Sequence, residues 1–129
     1  MFNGIFRVPQ PQNEPCLSYA PGMSERDQLK NKLKEMLSEK YEVPMIIDGK
    51  EVRNGALADM KCPHDHHHLL GQFHQGNAMY VTQAIDAAEK AKKSWGEMPW
   101  ESRAVILLKA ADLLAGKYRM TLNAASMLN

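Results

Sequence analysis

The stretch MPWESRAVILLKAADLL, residues 98–114, decides the fold prediction. Pro99 suits the first turn of a helix, because the N–H group that proline lacks would have no partner there. The apolar positions that follow recur at helical spacing. They form one stripe, made of Ala104, Leu107, Leu108, Ala111, Leu114, Ala115 and Tyr118. Gly116 is expected to bend or end this helix, since glycine costs about 1 kcal/mol relative to alanine within a helix.

A second helix is predicted immediately before this one, with Asn77 as its N-terminal cap. Its apolar stripe consists of Val81, Ala84, Ile85, Ala88, Ala91 and Trp95. Small side chains allow short distances between helix axes, so we expect the two helices to pack as an antiparallel pair. A short final helix from Thr121 to Leu128 would carry Leu122 and Ala125 on one side.

The chain is predicted to open with an extended leader, residues 1–23. Its prolines oppose both helix and central strand, and Leu17 and Tyr19 are its expected anchors on another surface. A helix should follow, because Ser24 with an acidic side chain three residues later resembles a capping box. Pro44 is expected to end that helix by restricting Val43.

Short strands are predicted between this helix and the later pair. The run Met45–Val52 indicates a β-hairpin, because its Asp48-Gly49 pair tolerates the positive φ angles of a type I′ turn. Asn54-Gly55 marks another turn, and a further strand is predicted over His67–Phe73. A two-stranded hairpin alone is marginal in water. The sequence therefore resembles the covering layer of a larger structure.

Composition and charge exclude several functional classes. Sixteen basic and fifteen acidic side chains leave a formal charge of +1, so we expect no nucleic-acid partner. No apolar run approaches the roughly 20 residues that span a bilayer, so no membrane role is expected. Residues 1–9 lack a signal-peptide core, and Cys16 and Cys62 suggest no disulfide framework. We expect a reduced, cytoplasmic protein.

The conspicuous cluster of potential metal ligands comprises His64, His66, His67, His68 and His74. In an extended segment His64, His66 and His68 would share one face and could bind Zn²⁺ or Ni²⁺, with Asp65 or Cys62 adding a ligand. The simpler interpretation is a polar loop leading into a strand, with solvated or hydrogen-bonded histidines. The other half of a closed four-ligand zinc site is missing, so we expect no physiological metal site.

Other catalytic and binding patterns are weak. A reactive thiol needs a helix N-terminus or a fixed cation, whereas Cys62-Pro63 indicates an extended turn, and Cys16 has even less to activate it. Isolated glycines form neither a dinucleotide fingerprint nor a P-loop. We assign no acid–base role to Glu97, Glu101 or Asp112, and we expect Trp95 and Trp100 to pack in the core at the turn between the helices. The residues thus predict a scaffold without catalytic, cofactor-binding or metal-binding positions.

Several segments, in order along the chain, resemble the pyrroline-5-carboxylate dehydrogenase branch of the aldehyde dehydrogenase family. They are residues 13–15 (NEP), 19–22 (YAPG), 24–26 (SER), 44–52 (PMIIDGKEV), 63–66 (PHDH), 84–88 (AIDAA) and 98–119. Each motif is weak alone, but their order and spacing are fairly specific. The resemblance implies an α/β fold class: the N-terminal part of a Rossmann-type NAD-binding domain, here residues 24–129, mainly helical with a β-hairpin.

The resemblance also implies an activity for the whole protein. In this family a cysteine thiolate attacks glutamate semialdehyde, hydride passes to NAD⁺, and a glutamate-assisted water releases glutamate. The residues for these steps lie in later parts of such proteins, and none corresponds to a position here. We therefore expect a fragment, truncated product or partial chain that binds no NAD alone, is inactive alone, and acts as a scaffold for the remainder of the dehydrogenase chain or an oligomer partner. The alternative is a stand-alone helical interaction or oligomerisation module.

Overall fold

The computed structural model describes residues 4, 5, 7 and 9–129. Predictions that fall on residues 1–3, 6 and 8, which are parts of the leader, lie outside the described residues. The elements are α1 (Ser24–Ser38), β1 (Tyr41–Val43), β2 (Met45–Ile47), β3 (Lys50–Val52), β4 (Leu57–Cys62), β5 (Asp65–His74), α2 (Ala78–Glu97), α3 (Trp100–Ala115) and α4 (Arg119–Leu128).

The predicted hairpin is confirmed. Strands β2 and β3 are antiparallel, with Ile47 opposite Lys50, so that Asp48 and Gly49 form a two-residue turn. The φ angles of these two residues are 53° and 69°, as a type I′ turn requires. An Asp-Gly pair tolerates such angles, which explains why this feature could be predicted locally.

A three-stranded sheet has the order β1-β5-β4, with β1 parallel and β4 antiparallel to the central strand. The strand predicted over His67–Phe73 is confirmed and extends over Asp65–His74, whereas β1 and β4 were not predicted. Gly71 lies opposite Tyr41, and a Cβ atom at Gly71 would be 2.0 Å from the Tyr41 carbonyl oxygen. Strand β1 can therefore pair with β5 because this position has no side chain.

Helix α1 differs from its prediction at both ends. Met23 is the N-cap, and no side chain caps the helix, so the predicted capping box at Ser24 is wrong. The helix ends at Ser38 and not at Pro44, because Tyr41–Val43 becomes the edge strand β1. Pro44 still favours an extended Val43, which suits a strand.

The later helices follow their local signals closely. Asn77 caps α2 as predicted, since its side-chain oxygen accepts hydrogen bonds from the backbone N–H groups of Met79 and Tyr80. Pro99 is the N-cap of α3, one position before the first helical residue, and Gly116 ends that helix.

Helix α4 begins at Arg119, earlier than predicted. Its buried residues are Ala124 and Leu128, whereas Leu122, which was predicted to share a side with Ala125, is 44% exposed.

The predicted antiparallel pairing of α2 with α3 is wrong. Helix α1 packs against α4, α3 also contacts α4, α2 contacts β2, and α2 and α3 do not pack along their lengths. The leader lies along α3 instead. Pro9 lines a small cavity with Ala104 and Leu108, and Leu17 and Tyr19 line a groove farther along α3. Part of the stripe that was expected to receive α2 is thus occupied by another segment.

A small core lies between the three-stranded sheet and helices α1 and α4. Its buried members are Cys62, Leu70 and Leu128, with Leu33, Met36 and Met60 packed against them. Helices α2 and α3 contain no buried residue. Trp95 and Trp100 are 42% and 48% exposed, so the expectation that they pack in a core is wrong.

The accessible surface is large for a chain of this mass. It measures 10371 Å², whereas a folded monomer of 14.6 kDa exposes roughly 6,900 Å². The exposed apolar residues of α2 and α3 account for part of this excess, among them Val81, Ile85 and Leu107. The described part of the chain contains no helix that is long and apolar enough to cross a membrane.

Candidate functional site

The clustered histidines do not converge on a common point. His64 lies in the turn between β4 and β5, so it does not share an extended face with His66 and His68, which lie within β5. His66 and His67 are exposed, and the His68 Nε2 atom is buried without a hydrogen-bond partner among the described residues. Across residues 4, 5, 7 and 9–129, no three His, Cys, Asp or Glu side chains are grouped closely enough to hold a metal ion.

Cys62 is part of the core and is fully buried. Its Sγ atom lies 3.3 Å from both Nδ1 and Nε2 of His64. A sulfur atom equidistant from both nitrogens is not aligned with the lone pair of either one, so the imidazole is poorly placed to remove the thiol proton. Because Cys62 is also inaccessible, the arrangement is that of a packed side chain and not of a nucleophile.

His74 forms the most extensive polar network that the structure describes, and sequence reasoning missed it. Its side chain is only 3% exposed, and its Nε2 atom lies 2.9 Å from Oε1 of Glu42 on β1. Its Nδ1 atom accepts hydrogen bonds from the backbone N–H groups of Asn54 and Gly55, at 3.1 and 3.3 Å. A ring nitrogen that accepts these bonds carries no proton, so Nε2 holds the hydrogen and donates it to Glu42.

Glu42 is shared between His74 and Arg53. Hydrogen bonds from His74 and Arg53 lower the pKa of the Glu42 carboxyl below its ordinary value. Arg53 also binds Glu51 on β3 at 3.0 Å, and the bonds to Glu51 and Glu42 raise the pKa of its guanidinium. The network joins the hairpin to the three-stranded sheet, two units that share no strand pairing. We therefore interpret it as a structural tie between the hairpin and the sheet, although Glu42 also lines a cavity of about 310 Å³ with Lys40 and Gln72.

Among the described residues, a strand leads directly into a helix only at the junction between β5 and α2. A glycine, Gly76, precedes the helix, as in nucleotide-binding turns, but the Asn77 side chain already accepts hydrogen bonds from two N–H groups of the first turn. A Cβ atom at Gly76 would approach the Met45 sulfur at 3.2 Å, so side chains fill this space. The described residues therefore do not fit a bound pyrophosphate.

The remaining candidates stand apart from one another. Glu101 lies in the first turn of α3, where its negative charge complements the helix dipole. Glu97 ends α2 and Asp112 lies on α3, and both are exposed. Neither residue forms an ion pair among the described residues. No pair of carboxylates is thus arranged for acid–base catalysis in this part of the chain.

A groove of about 580 Å³ lies between the leader and helices α3 and α4. Leu17 and Tyr19 line it, so their prediction as anchors is confirmed. The Tyr19 hydroxyl accepts a hydrogen bond from Asn123 at 2.9 Å, and Arg119 donates to the Pro15 carbonyl oxygen at 2.8 Å. Cys16 also lines the groove, as an exposed free thiol.

A second, apolar groove of about 210 Å³ lies beside the core. Its lining is Met36, Tyr41, Val43, Met60, Leu70, Ala125, Leu128 and Asn129. Burial, followed by a hydrogen bond to Glu39, raises the pKa of the Tyr41 hydroxyl, so that group is a poor acid here. The groove thus presents apolar surface without a catalytic group.

Comparison with known proteins gives consistent matches. A family model described as "Aldehyde dehydrogenase family" matches residues 51–129. Delta-1-pyrroline-5-carboxylate dehydrogenase of Agaricus bisporus is 50% identical over 124 residues, which are 95% of this chain and 23% of that protein. The corresponding mitochondrial enzyme of Dictyostelium discoideum is 36% identical over 121 residues, which are 94% of this chain and 22% of that protein.

A solved structure agrees with these sequence matches. The crystal structure of Delta-pyrroline-5-carboxylate dehydrogenase from Mycobacterium tuberculosis bound with NAD superposes with a TM-score of 0.92 at 36% identity. The superposition covers 98% of this chain and 24% of that chain. The chain therefore spans about a quarter of the length of the proteins that it matches.

Proposed function

The chain belongs to the aldehyde dehydrogenase family, and from that premise we propose that it is the N-terminal scaffold of an NAD-dependent dehydrogenase. The whole protein would oxidise glutamate semialdehyde, which forms from pyrroline-5-carboxylate, to glutamate in proline degradation. The observation that carries this proposal is the 50% identity to a pyrroline-5-carboxylate dehydrogenase across 95% of the chain. Residues 24–129 would form an incomplete part of the NAD-binding domain.

The amount of exposed surface supports a scaffold role. The 10371 Å² of accessible surface exceeds the expectation for a compact monomer by about 3,500 Å². Large, permanent interfaces bury about 2,000–5,000 Å². Apolar side chains at Val105, Leu107 and Leu114 are between 52% and 65% exposed, so they would gain by being covered. The partner that we propose is the remainder of a dehydrogenase chain.

The chemistry of the described residues supports a non-catalytic role for this chain. Cys62 is unsuited to nucleophilic attack because it is buried. NAD accepts a hydride when it is bound, but the capped start of α2 does not fit its pyrophosphate. We therefore assign no reaction step to this chain and propose that it binds no NAD by itself.

An assay of NADH formation tests the proposal. The purified 129-residue chain and the longest reading frame that contains it are each supplied with pyrroline-5-carboxylate and NAD⁺, and absorbance at the NADH band is followed. We expect turnover only with a longer chain. Turnover by the 129-residue chain that a Cys62→Ser substitution abolishes would refute the scaffold role. Absence of turnover in a longer chain with intact fold would refute the proposed substrate.

A second candidate function is a stand-alone interaction or oligomerisation module. The exposed apolar residues of α2, Val81 and Ile85 among them, favour this alternative because they could pair with a partner helix. A cooperative thermal transition together with a single defined oligomer of the 129-residue chain would support it. A reading frame that continues past Asn129 with family sequence would favour the scaffold.

The cellular compartment is a separate part of the proposal. We propose the cytoplasm, because the two free cysteines, Cys16 and Cys62, indicate a reducing compartment. The relative from Dictyostelium discoideum is described as mitochondrial. Cell fractionation with an antibody against this chain distinguishes the two compartments, and a signal confined to mitochondria would contradict the cytoplasmic assignment.

A further inference from the structure

One side of the His74 ring meets two hydrogen-bond donors and one acceptor. Its Nδ1 atom accepts from the backbone N–H groups of Asn54 and Gly55, at 3.1 and 3.3 Å. The Oδ1 atom of the Asn54 side chain lies 3.2 Å from the same Nδ1 atom. An oxygen acceptor forms no hydrogen bond with an unprotonated ring nitrogen, so this third contact becomes a bond only when Nδ1 carries a proton.

The orientation of the Asn54 side-chain amide is fixed independently of His74. Its Nδ2 atom donates to the Gln75 carbonyl oxygen at 2.7 Å, and its Oδ1 atom accepts from the Ala56 backbone N–H at 3.1 Å. Exchanging the amide oxygen and nitrogen would break both bonds, so the oxygen faces the ring. The turn after β3 therefore offers Nδ1 a partner in each of its two protonation states.

Glu42 holds the opposite side of the ring in both states. The Nε2 atom of His74 carries a hydrogen with or without a proton on Nδ1, and it lies 2.9 Å from Oε1 of Glu42. Hydrogen bonds from His74 and Arg53 keep the pKa of Glu42 below its ordinary value of 4.5. The carboxylate therefore stays charged between about pH 5 and 8, the range in which imidazole groups change charge. A proton that the ring gains in this range changes only the contacts of Nδ1.

The other charged groups near His74 are engaged with one another or with polar side chains. Strand partners place Glu42 and Asp59 opposite Gln72, two positions before His74, so both share its face of the sheet. Asp59 accepts from Gln72 at 2.9 Å. The remaining charged groups on this side are Arg53 and Glu51, which bind each other, and Lys40, which lines the cavity beside Glu42. In the described part of the chain none of these charges forms a hydrogen bond with Nδ1.

We propose that His74 is a proton-dependent switch that controls how the β2–β3 hairpin is held against the three-stranded sheet. When Nδ1 is unprotonated, the ring binds the turn through the backbone of Asn54 and Gly55. When Nδ1 takes up a proton from solvent, its N–H group donates to the Asn54 side chain. The two backbone N–H groups then lose their acceptor and face another donor, which loosens the turn between β3 and β4. This role rests on contacts within the chain and not on the proposed dehydrogenase activity.

A nuclear magnetic resonance titration of the intact chain from pH 8 to pH 5 tests the switch. The ring proton shifts of His74 report its charge, and the amide exchange rates of Asn54 and Gly55, corrected for intrinsic pH dependence, report the two backbone bonds. Protection of both amides should fall roughly fivefold, the effect of losing one typical hydrogen bond, with the same midpoint as the ring signal. His66→Gln is the matched control, because His66 is an exposed histidine of the same strand, and it should change neither signal. A ring that titrates without a change at the two amides, or that keeps its charge unchanged to pH 5, would overturn the proposal.

Two variants separate the roles of the ring and of its acceptor. His74→Gln has no titrating group at this position, so protection of the two amides should no longer depend on pH. Asn54→Ala removes the acceptor for the protonated ring but keeps both backbone donors, so the midpoint of the His74 signal should move to lower pH. An unchanged midpoint would contradict the exchange of partners. Circular dichroism checks that each variant folds, and for a variant that does not fold the titration of the parent chain decides.

Discussion

Replacement of Gly71 by alanine should detach strand β1 from the sheet. The new Cβ atom would lie 2.0 Å from the Tyr41 carbonyl oxygen, whereas ordinary contact begins at 3.4 Å. The nearest atoms all belong to the backbone of Tyr41, so no side chain can rotate away, and β1 would have to move by roughly 1.4 Å. The φ angle of Gly71, 156°, adds strain for any residue with a side chain.

The expected loss of stability follows from these contacts. A shift of this size breaks the short ladder between β1 and β5, and each lost hydrogen bond costs about 1 kcal/mol. Backbone strain at an unfavourable φ angle adds about 1–3 kcal/mol. We expect the free energy of unfolding to fall by about 3–5 kcal/mol in total, a large part of the stability of a typical domain.

Urea unfolding followed by circular dichroism measures this change. Gly96→Ala is the matched control, because Gly96 lies in helix α2 with open space where the Cβ would be. That control should gain about 0.5–1 kcal/mol, since alanine favours helix more than glycine does. If the free energy of unfolding of Gly71→Ala lies within about 1 kcal/mol of the value for the parent chain, the close approach of Tyr41 to Gly71 does not exist in solution.

Three further predictions concern single side chains. Asn77→Ala removes the cap of α2 and should lower the free energy of unfolding by about 1 kcal/mol in the same urea experiment. Asn77→Asp keeps a capping oxygen and should retain most of the stability that the cap provides. Equal losses in the two variants would exclude a capping role. Folding lowers the pKa of Glu42 below its ordinary value of 4.5. The ionised Glu42 therefore stabilises the folded chain above pH 4.5, and this stabilisation is lost as the pH falls through the folded-state pKa. Unfolding measured across this range should therefore depend less on pH in Glu42→Gln, and identical pH profiles would contradict the bond to His74. In the native chain a thiol reagent should modify Cys16 at once and Cys62 only after urea is added; rapid reaction of both thiols would show that the core is open.

Local signals in the sequence predicted the features that depend on local chemistry. The Asp48-Gly49 turn, the Asn77 cap and the end of α3 at Gly116 each depend on residues within one turn of each other. The matched family and solved structures also confirm the predicted aldehyde dehydrogenase resemblance and the α/β class. The family resemblance and the fold class were predicted from the order and spacing of short motifs along the chain.

Features that depend on distant residues could not be predicted from one sequence. His74 binds Glu42 and Asn54, which lie 32 and 20 positions away in the chain. The neighbouring run His66–His68 drew attention to metal ligands, whereas the histidine that forms the polar network is His74, which lies outside that run. The prediction that α2 packs on the apolar stripe of α3 failed for the same reason. An amphipathic pattern shows that a helix face is apolar, but it does not show which segment covers that face.

The parallel pairing of β1 with β5 has a consequence for the order in which the chain folds. Strands β4 and β5 meet across the short turn at Pro63 and His64, so they can pair as soon as both have been synthesised. Tyr41 leaves the ribosome before its partner Gly71, and the β2–β3 hairpin lies between them. Closing the longer loop costs more entropy and becomes favourable only once β5 exists. We therefore expect β1 to remain unpaired while the following strands are synthesised. Its pairing with β5 is then a late step in the formation of the sheet.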